Sequence, residues 1–149
     1  MKSIQDIQQE IVEEFEIYDD WMDKYNFLIE LSSDLPLIDS RLKTKENLIS
    51  GCQSKVWLNA VYRDGIIDFS ADSDAIITKG IVSLLIRVLS GRDPGEIMQA
   101  DLWFIDKIGL RQNLSPSRSN GLLSMVKQMK LYALAYHTKA QQKRVTSDE

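Results

Sequence analysis

The chain has 149 residues, 44% of them hydrophobic, and a formal net charge of −4. That length and apolar content are typical of one domain with its own core, predicted to span residues 1–138. The acidic balance argues against nucleic-acid and anionic-membrane partners, because both call for a basic surface. The single cysteine excludes an internal disulfide and a cysteine-rich zinc or cluster site. No apolar run approaches the ~18 residues of a membrane helix, and residues 1–6 lack a signal core, so a reducing, cytoplasmic location is expected.

Two amphipathic helices are predicted at the start of the chain. Ser3, with Asp6 three residues later, is typical of an N-cap close to a capping box. Apolar residues then recur at helical spacing, first Ile4, Ile7, Ile11, Phe15 and Tyr18 and, after Asp19 and Asp20, Trp21, Tyr25, Leu28 and Ile29. Pro36 ends the second helix near Ser33, and the aperiodic residues 36–50 are predicted to be a surface connection.

After Lys55 the hydrophobic period changes to two, as in a strand, with Val56, Leu58, Ala60 and Tyr62 on one face. Asp64 and Gly65 give a strong two-residue hairpin signal, and residues 66–71 return as the partner strand. A short third strand is predicted at residues 47–50. Because a hairpin alone is barely stable in water, this sheet must pack on helices.

The second half of the chain is predicted to be helical. Start and stop signals delimit residues 75–90 (after Asp72, Ser73 and Asp74, before Gly91), a short helix to about residue 100 (after Asp93, with Pro94 and Glu96), residues 101–109, and a last helix from Ser115 and Pro116. The last helix carries Leu122, Met125, Met129, Tyr132 and Tyr136 on one face. Residues 139–149 are polar and are predicted to be a flexible tail. This order predicts an α+β fold, a small antiparallel sheet of about three strands packed against several helices.

The only cysteine, Cys52, lies in the stretch Gly-Cys-Gln-Ser-Lys-Val-Trp, just before the first predicted strand. A cysteine reacts as the thiolate, so it needs a turn that presents it and dipoles or cations that lower its pKa. Gly51 allows an unusual φ, and Lys55 brings a positive charge. The backbone N–H groups of Gln53 and Ser54 can point at the sulfur. The alternative is a small buried hydrophobe, a common role for a lone cysteine.

This stretch resembles the active-cysteine loop of the SufE family, the sulfur-acceptor partners of cysteine desulfurases in iron–sulfur cluster assembly. Three further blocks resemble the same family in the same order: residues 21–36, residues 72–75 with 79–80, and residues 115–122. The resemblance therefore covers about residues 20–135 and implies a SufE/NifU-like fold.

Other chemistries of a lone cysteine are poorly supported. A cysteine hydrolase needs a base beside its nucleophile, and the only histidine, His137, lies near the polar tail. A cluster scaffold of the NifU/IscU type needs several cysteine ligands, and no Gly-rich stretch opens a helix as phosphate-binding loops do. We therefore expect no independent hydrolytic or redox activity and no metal site.

The resemblance implies a sulfur relay. Cys52 would take persulfide sulfur from a pyridoxal-phosphate-dependent cysteine desulfurase, stimulate that enzyme, and pass the sulfur to an iron–sulfur cluster scaffold complex. The pyridoxal phosphate belongs to the partner, so no cofactor is expected here, and the chain is expected to be a monomer or weak homodimer. The alternative is a binding module that regulates a desulfurase allosterically, with Cys52 only structural.

Three further residues have open roles. Asp74 is either a helix cap or, as the resemblance implies, a residue that holds the cysteine loop. Arg118 lies beside the positive start of the last helix, at a cost of a few tenths to about 1 kcal/mol, so it calls for a salt-bridge partner or for a thiolate or persulfide anion. Trp57 is interpreted as packing. The resting loop is expected to tuck the sulfur against apolar residues at the end of the sheet and to turn outward on docking.

Overall fold

The computed structural model describes the backbone of residues 1–148 and the side chains through Lys143. In that part of the chain two helices precede a hairpin and five helices follow it: α1 (Ile4–Glu16), α2 (Trp21–Leu31), β1 (Val56–Arg63), β2 (Ile66–Ser73), α3 (Ile76–Leu89), α4 (Pro94–Gln99), α5 (Phe104–Lys107), α6 (Leu110–Asn113) and α7 (Pro116–Asp148). The predicted α+β class is confirmed. Across residues 1–148 no helix combines the length and the apolar character needed to cross a bilayer.

The strands β1 and β2 pair antiparallel, with Val56 opposite Ser73. The turn residues Asp64 and Gly65 have φ angles of 55° and 83°, the two successive positive values that a type I′ turn requires. One face of this hairpin is buried, with alternate residues of both strands pointing into the core. The hairpin predicted from the sequence is therefore present.

The third strand predicted at residues 47–50 is not formed. A 3-10 turn, Lys45–Asn47, occupies its start, and a single antiparallel bridge joins Leu48 to Trp57. The chain then turns at Gly51, so too few extended residues remain to build a ladder beside β1.

The connection over residues 36–50 is less of a surface segment than predicted. Ile38 and Ile49 are buried in it. Ala71 of β2 donates its N–H to Pro36 O at 3.0 Å and accepts from the Ile38 N–H at 3.0 Å. This segment therefore covers the outer edge of β2 before it reaches the cysteine loop.

Helix α3 lies in the middle of the core, where it packs against α1, α2, β2 and α7. Its apolar residues are buried on almost every side. At Gly80 it approaches α2 so closely that a Cβ atom would lie 2.2 Å from Leu28 O. The position of α3 matters for the site, because its first turn forms one wall of the cavity described below.

The capping residues in the sequence predicted the first residues of most helices correctly. The Ser3 hydroxyl accepts from the Asp6 N–H, and the Asp93 carboxylate accepts from the Glu96 N–H. The predicted helix over residues 101–109 is shorter, because α5 ends before Gly109, whose φ is 74°. A further turn, α6, follows that glycine and was missed.

The last helix, α7, begins at Pro116, as predicted, and its backbone is helical through Asp148. The last fully buried side chain that it contributes is Ala133 among those described. The domain bounds at residues 1–138 and the flexibility of residues 139–149 stay predictions, and Glu149 lies outside the described residues.

Candidate functional site

The cysteine loop is closed at its base by β1. The Ile49 N–H donates to Val56 O at 2.9 Å, so residues 50–55 form a short flap. Gly51 has a φ of 87°, a conformation that residues with a Cβ rarely adopt, and a Cβ there would lie 2.5 Å from Ser124 Oγ of α7. Both the backbone angle and the close approach to α7 therefore call for glycine at this position.

The far end of the flap is fixed by hydrogen bonds from the end of β2. The Lys55 N–H donates to Asp74 Oδ1 at 3.0 Å, and Lys55 O accepts from the Asp74 N–H at 3.3 Å and from Ser73 Oγ at 2.8 Å. The N-cap of α3 is Ala75, which makes no side-chain cap bond. The interpretation of Asp74 as a helix cap is therefore wrong, because its carboxylate is bound to the loop instead.

The sulfur of Cys52 lies against α7. The side chain is half-buried and packs partly on the core, and Sγ donates to Gly121 O at 3.6 Å, a weak bond of the kind thiols make. Burial raises the pKa of the Cys52 thiol, since a thiolate loses hydration there. The expected lowering of this pKa by Lys55 is thus absent in the resting structure: Lys55 is exposed, and desolvation dominates.

A cavity of about 300 Å³ opens beside Cys52. Its walls are the cysteine loop, with Gln53 and Ser54, the first turn of α3, and the first turns of α7. It thus lies where the N-terminal ends of two long helices meet the loop, and helix N-termini favour anions. Of the six candidate residues, the structure places five at or beside this cavity: Gly51, Cys52, Gln53, Ser54 and Arg118. The sixth, Asp74, holds the loop from outside the cavity.

Arg118 lines this cavity and is exposed. Its backbone N–H donates to the hydroxyl of Ser115, the residue before α7, at 3.4 Å. Among the described side chains no carboxylate forms an ion pair with its guanidinium, whereas Arg111 nearby pairs with Asp106 at 2.7 Å. The salt-bridge interpretation of Arg118 thus finds no partner in this part of the chain.

Sequence reasoning missed Thr78, which lies in the first turn of α3 and lines the cavity. It is only 7% exposed, and its hydroxyl makes no hydrogen bond within the described residues. Arg92 Nε is the one side-chain nitrogen or oxygen among the described residues that is buried without a hydrogen-bond partner, so the Thr78 hydroxyl faces the open space of the cavity and is not sealed in the core. The signal available in the sequence was a threonine directly after two isoleucines at the start of a helix. Gly121, whose carbonyl accepts from Cys52, was visible only inside a resembling block.

His137 does not serve Cys52 in this arrangement. It lies 16 residues beyond Gly121 in the same helix, which at ~1.5 Å per residue is about 24 Å along the axis. Its ring is within 3.0 Å of the Gln141 amide. Trp57 is half-buried under Lys43, whose Nζ lies 4.6 Å from the ring centroid. Its interpretation as a packing residue stays a prediction.

The fold and the site define a class of protein: a small α+β domain with one half-buried thiol on a loop, beside a polar cavity. The chain belongs to the SufE family: the family model described as the SufE Fe-S metabolism associated domain matches residues 9–133. The recognition from the sequence is confirmed, and with it a role in iron–sulfur metabolism.

Curated relatives extend over most of the chain. It is 41% identical over 135 residues to SufE-like protein 1, chloroplastic/mitochondrial, of Arabidopsis thaliana, covering 90% of this chain but only 36% of that protein. It is 42% identical over 127 residues to an uncharacterised SufE-like protein of Rhizobium etli, with 81% of this chain and 85% of that one covered. The chain therefore spans about a third of the plant relative and most of the rhizobial one.

A solved structure supports the fold. The solution structure of a hypothetical protein from Thermus thermophilus superposes with a TM-score of 0.73 over 89% of this chain and 96% of that chain. At 18% identity this likeness bears on the fold alone.

The half-burial of Cys52 leads to a prediction about its reactivity. We expect iodoacetamide to alkylate the resting protein slowly at neutral pH, because the raised pKa leaves little thiolate. The rate rises with pH, with a midpoint higher than that of the same cysteine in the urea-unfolded chain, which is the matched control. A midpoint at or below the unfolded value would contradict the effect of burial.

Proposed function

We propose that Cys52 accepts sulfur from the cysteine persulfide of a pyridoxal-phosphate-dependent desulfurase, stimulates that enzyme, and passes the sulfur to an iron–sulfur cluster scaffold complex. Family membership supports a role in iron–sulfur metabolism. The observation that carries the finer proposal is the placement of the only thiol on a flap, beside a polar cavity and without a base.

The chemistry of the relay is thiol exchange. The Cys52 thiolate attacks the outer sulfur of the partner's persulfide, and the S–S bond breaks with its electron pair going to the partner's cysteine. Cys52 gains one sulfur as a persulfide, the partner regains a thiolate, and no outside oxidant is consumed. The base and the pyridoxal phosphate are supplied by the partner, so this chain needs neither.

The resting flap must open for this exchange, because Sγ is half-buried and its pKa is raised. The two ends of the flap are held, by Val56 at one side and by Asp74 at the other. The residues between, with Gly51 as the hinge, are free to swing outward when the desulfurase docks. Closure afterwards returns the persulfide to its half-buried position beside α7, where bulky thiol reductants and oxidants in bulk solvent reach it more slowly.

Intact-mass analysis tests the relay directly. Incubated with a desulfurase and cysteine, the protein should gain about 32 Da per sulfur transferred, the mass of one atom moved by this exchange. Peptide mapping should place the added mass on Cys52. A label on any other residue, or no label while the desulfurase turns over, would refute the proposal.

The proposal gives Arg118 a role that can be tested, as a contact for the Cys52 thiolate or persulfide. We expect Arg118→Ala to slow sulfur transfer about tenfold, the effect of a contact worth about 1.4 kcal/mol in the transition state. The thiol pKa should also rise, while the free energy of unfolding changes by less than ~0.5 kcal/mol at this exposed position. Arg111→Ala, an exposed arginine paired elsewhere, is the control and should transfer normally. A normal transfer rate and an unchanged thiol pKa in Arg118→Ala would mean that Arg118 has only a structural role.

The remaining expectations belong to the same proposal: action in the cytoplasm, as a monomer or weak homodimer, without a metal or nucleic acid. The name of the Arabidopsis relative assigns that protein to chloroplasts and mitochondria, so the compartment is to be tested by fractionating the source cells. Sedimentation at several protein concentrations tests the oligomeric state.

A further inference from the structure

The lining of the cavity beside Cys52 carries one positive side chain and, among the described residues, no negative one. It presents hydroxyls from Thr78, Ser115 and Ser117 and the guanidinium of Arg118. No aspartate or glutamate belongs to the lining formed by the described residues. Such a set donates hydrogen bonds and adds a positive charge, so it favours an anion with several acceptor oxygens. It offers no carboxylate to an ammonium group, whereas an anion meets the guanidinium of Arg118.

Thr78 places an unpartnered hydroxyl on the wall of this cavity. The residue is only 7% exposed, and its hydroxyl has no hydrogen-bond partner among the described residues. Thr78 lines the open space of the cavity. Thr78 also belongs to the first turn of α3, whose N-cap residue Ala75 supplies no side-chain acceptor. An oxyanion in the cavity would satisfy this hydroxyl and complement both helix ends.

The size of the cavity sets the scale of the ligand. Its volume of about 300 Å³ is at the lower end of the ~300–1,000 Å³ typical of small-molecule pockets. One extra sulfur on Cys52 occupies roughly the ~30 Å³ of a water molecule. Most of the cavity therefore stays open beside a persulfide.

We propose that this cavity binds a small sulfur oxyanion, and that sulfite bound there takes the outer sulfur of the Cys52 persulfide as thiosulfate. This inference rests on the proposed persulfide at Cys52. The oxygens of sulfite accept from Thr78 and Arg118, which leaves its sulfur lone pair for the reaction. Sulfate and phosphate fit the same donors but have no such lone pair, so they bind without reacting.

The step is balanced without a further reagent. The sulfur of sulfite attacks the outer sulfur of Cys52, a new S–S bond forms, and the persulfide S–S bond breaks with its electron pair going to Sγ. Sulfite is oxidised by two electrons and the transferred sulfur is reduced by two. The products are thiosulfate and the Cys52 thiolate, which is ready to accept sulfur again.

The kinetic experiment uses the full chain loaded with sulfur by sodium tetrasulfide, desalted, and mixed with increasing sulfite. We expect thiosulfate release, with loss of about 32 Da from the protein for the one sulfur moved, at a rate that saturates with sulfite and is competitively inhibited by sulfate. Thr78→Val, which replaces the hydroxyl by a methyl group, should raise the half-saturating sulfite concentration five- to tenfold, and Arg118→Gln should raise it as well. Thr138→Val makes the same change at an exposed position of α7 and should leave it unaltered. A rate that is linear in sulfite and equal in all variants is ordinary solution chemistry and overturns the proposal.

A second measurement separates this inference from the relay itself. Sulfate added to the resting protein, without any persulfide, should shift the backbone amide NMR signals of Thr78, Arg118 and Gly121 in a saturable way, and Thr78→Val should weaken that binding. If Cys52 accepts sulfur from a desulfurase but shows neither sulfate binding nor saturable thiosulfate release, this inference fails and the relay stands. If Cys52 cannot be loaded by tetrasulfide or by a desulfurase, both the relay and the sulfite step fail, whatever sulfate does.

Discussion

Cys52→Ser is expected to gain no sulfur from a desulfurase and to lose the stimulation of that enzyme completely. Serine keeps the size of the side chain, and its hydroxyl can still donate to Gly121 O, so the free energy of unfolding should change by less than ~1 kcal/mol at this half-buried position. The loss is therefore chemical: an alkoxide is not available at neutral pH, and no sulfur–oxygen bond replaces the persulfide. Intact mass and desulfurase turnover, measured on the same sample, report the two effects.

The loop offers a matched control for this variant. In Cys52→Ser with Ser50→Cys, a thiol is present on the same flap but two residues away from the cavity. We expect it to restore little transfer, because position 50 does not line the space bordered by Thr78 and Arg118. Full stimulation by Cys52→Ser alone would instead favour the alternative function, a module that regulates the desulfurase through its surface.

The parts of the fold that the sequence predicted correctly depend on neighbours in the chain. The Asp64-Gly65 turn, the Ser3 cap and the Asp93 cap each act over two to four residues, and each is present in the structure. The third strand failed because its formation depended on whether the chain stayed extended before Gly51, and a 3-10 turn competes there.

The candidate site was predictable only in its centre. Gly51 and Cys52 stand out by residue type, the resemblance added the role of Asp74, and the helix dipole singled out Arg118. Thr78 is brought to Cys52 by the packing of α3 against α7. It lies 26 positions after Cys52 in the sequence, and no local pattern encodes that contact.

The pKa of the resting thiol depends on an effect that the local sequence does not show. Local sequence showed the charge of Lys55 and the peptide dipoles of the loop, both of which stabilise a thiolate. It did not show that α7 covers the sulfur, and desolvation by that helix raises the pKa. Whether desolvation or the local charges dominate the thiol pKa depends on the position of the flap. We therefore expect the pKa of Cys52 to fall if the flap opens on a partner.

Gly80→Ala should be the most destabilising glycine substitution in the core. The added Cβ would lie 2.2 Å from Leu28 O and 2.9 Å from Leu28 C, and these are backbone atoms of α2 that no side-chain rotation can move. Helices α2 and α3 must separate, which opens the core on both sides. Overpacking of this kind costs about 3 kcal/mol, or a fall in Tm of roughly 6–12 °C for a chain of this size.

Gly121→Ala makes the same chemical change in α7 and is the control for that prediction. Its Cβ would meet Cys52 Sγ at 3.6 Å, an ordinary contact, and alanine favours the helix over glycine by up to about 1 kcal/mol. Calorimetry should therefore show Tm unchanged or raised in Gly121→Ala and clearly lowered in Gly80→Ala. Equal Tm values for the two variants would mean that α2 and α3 are not in close backbone contact. In that case the first turn of α3, with Thr78, would no longer be held in place beside the cysteine loop by this packing.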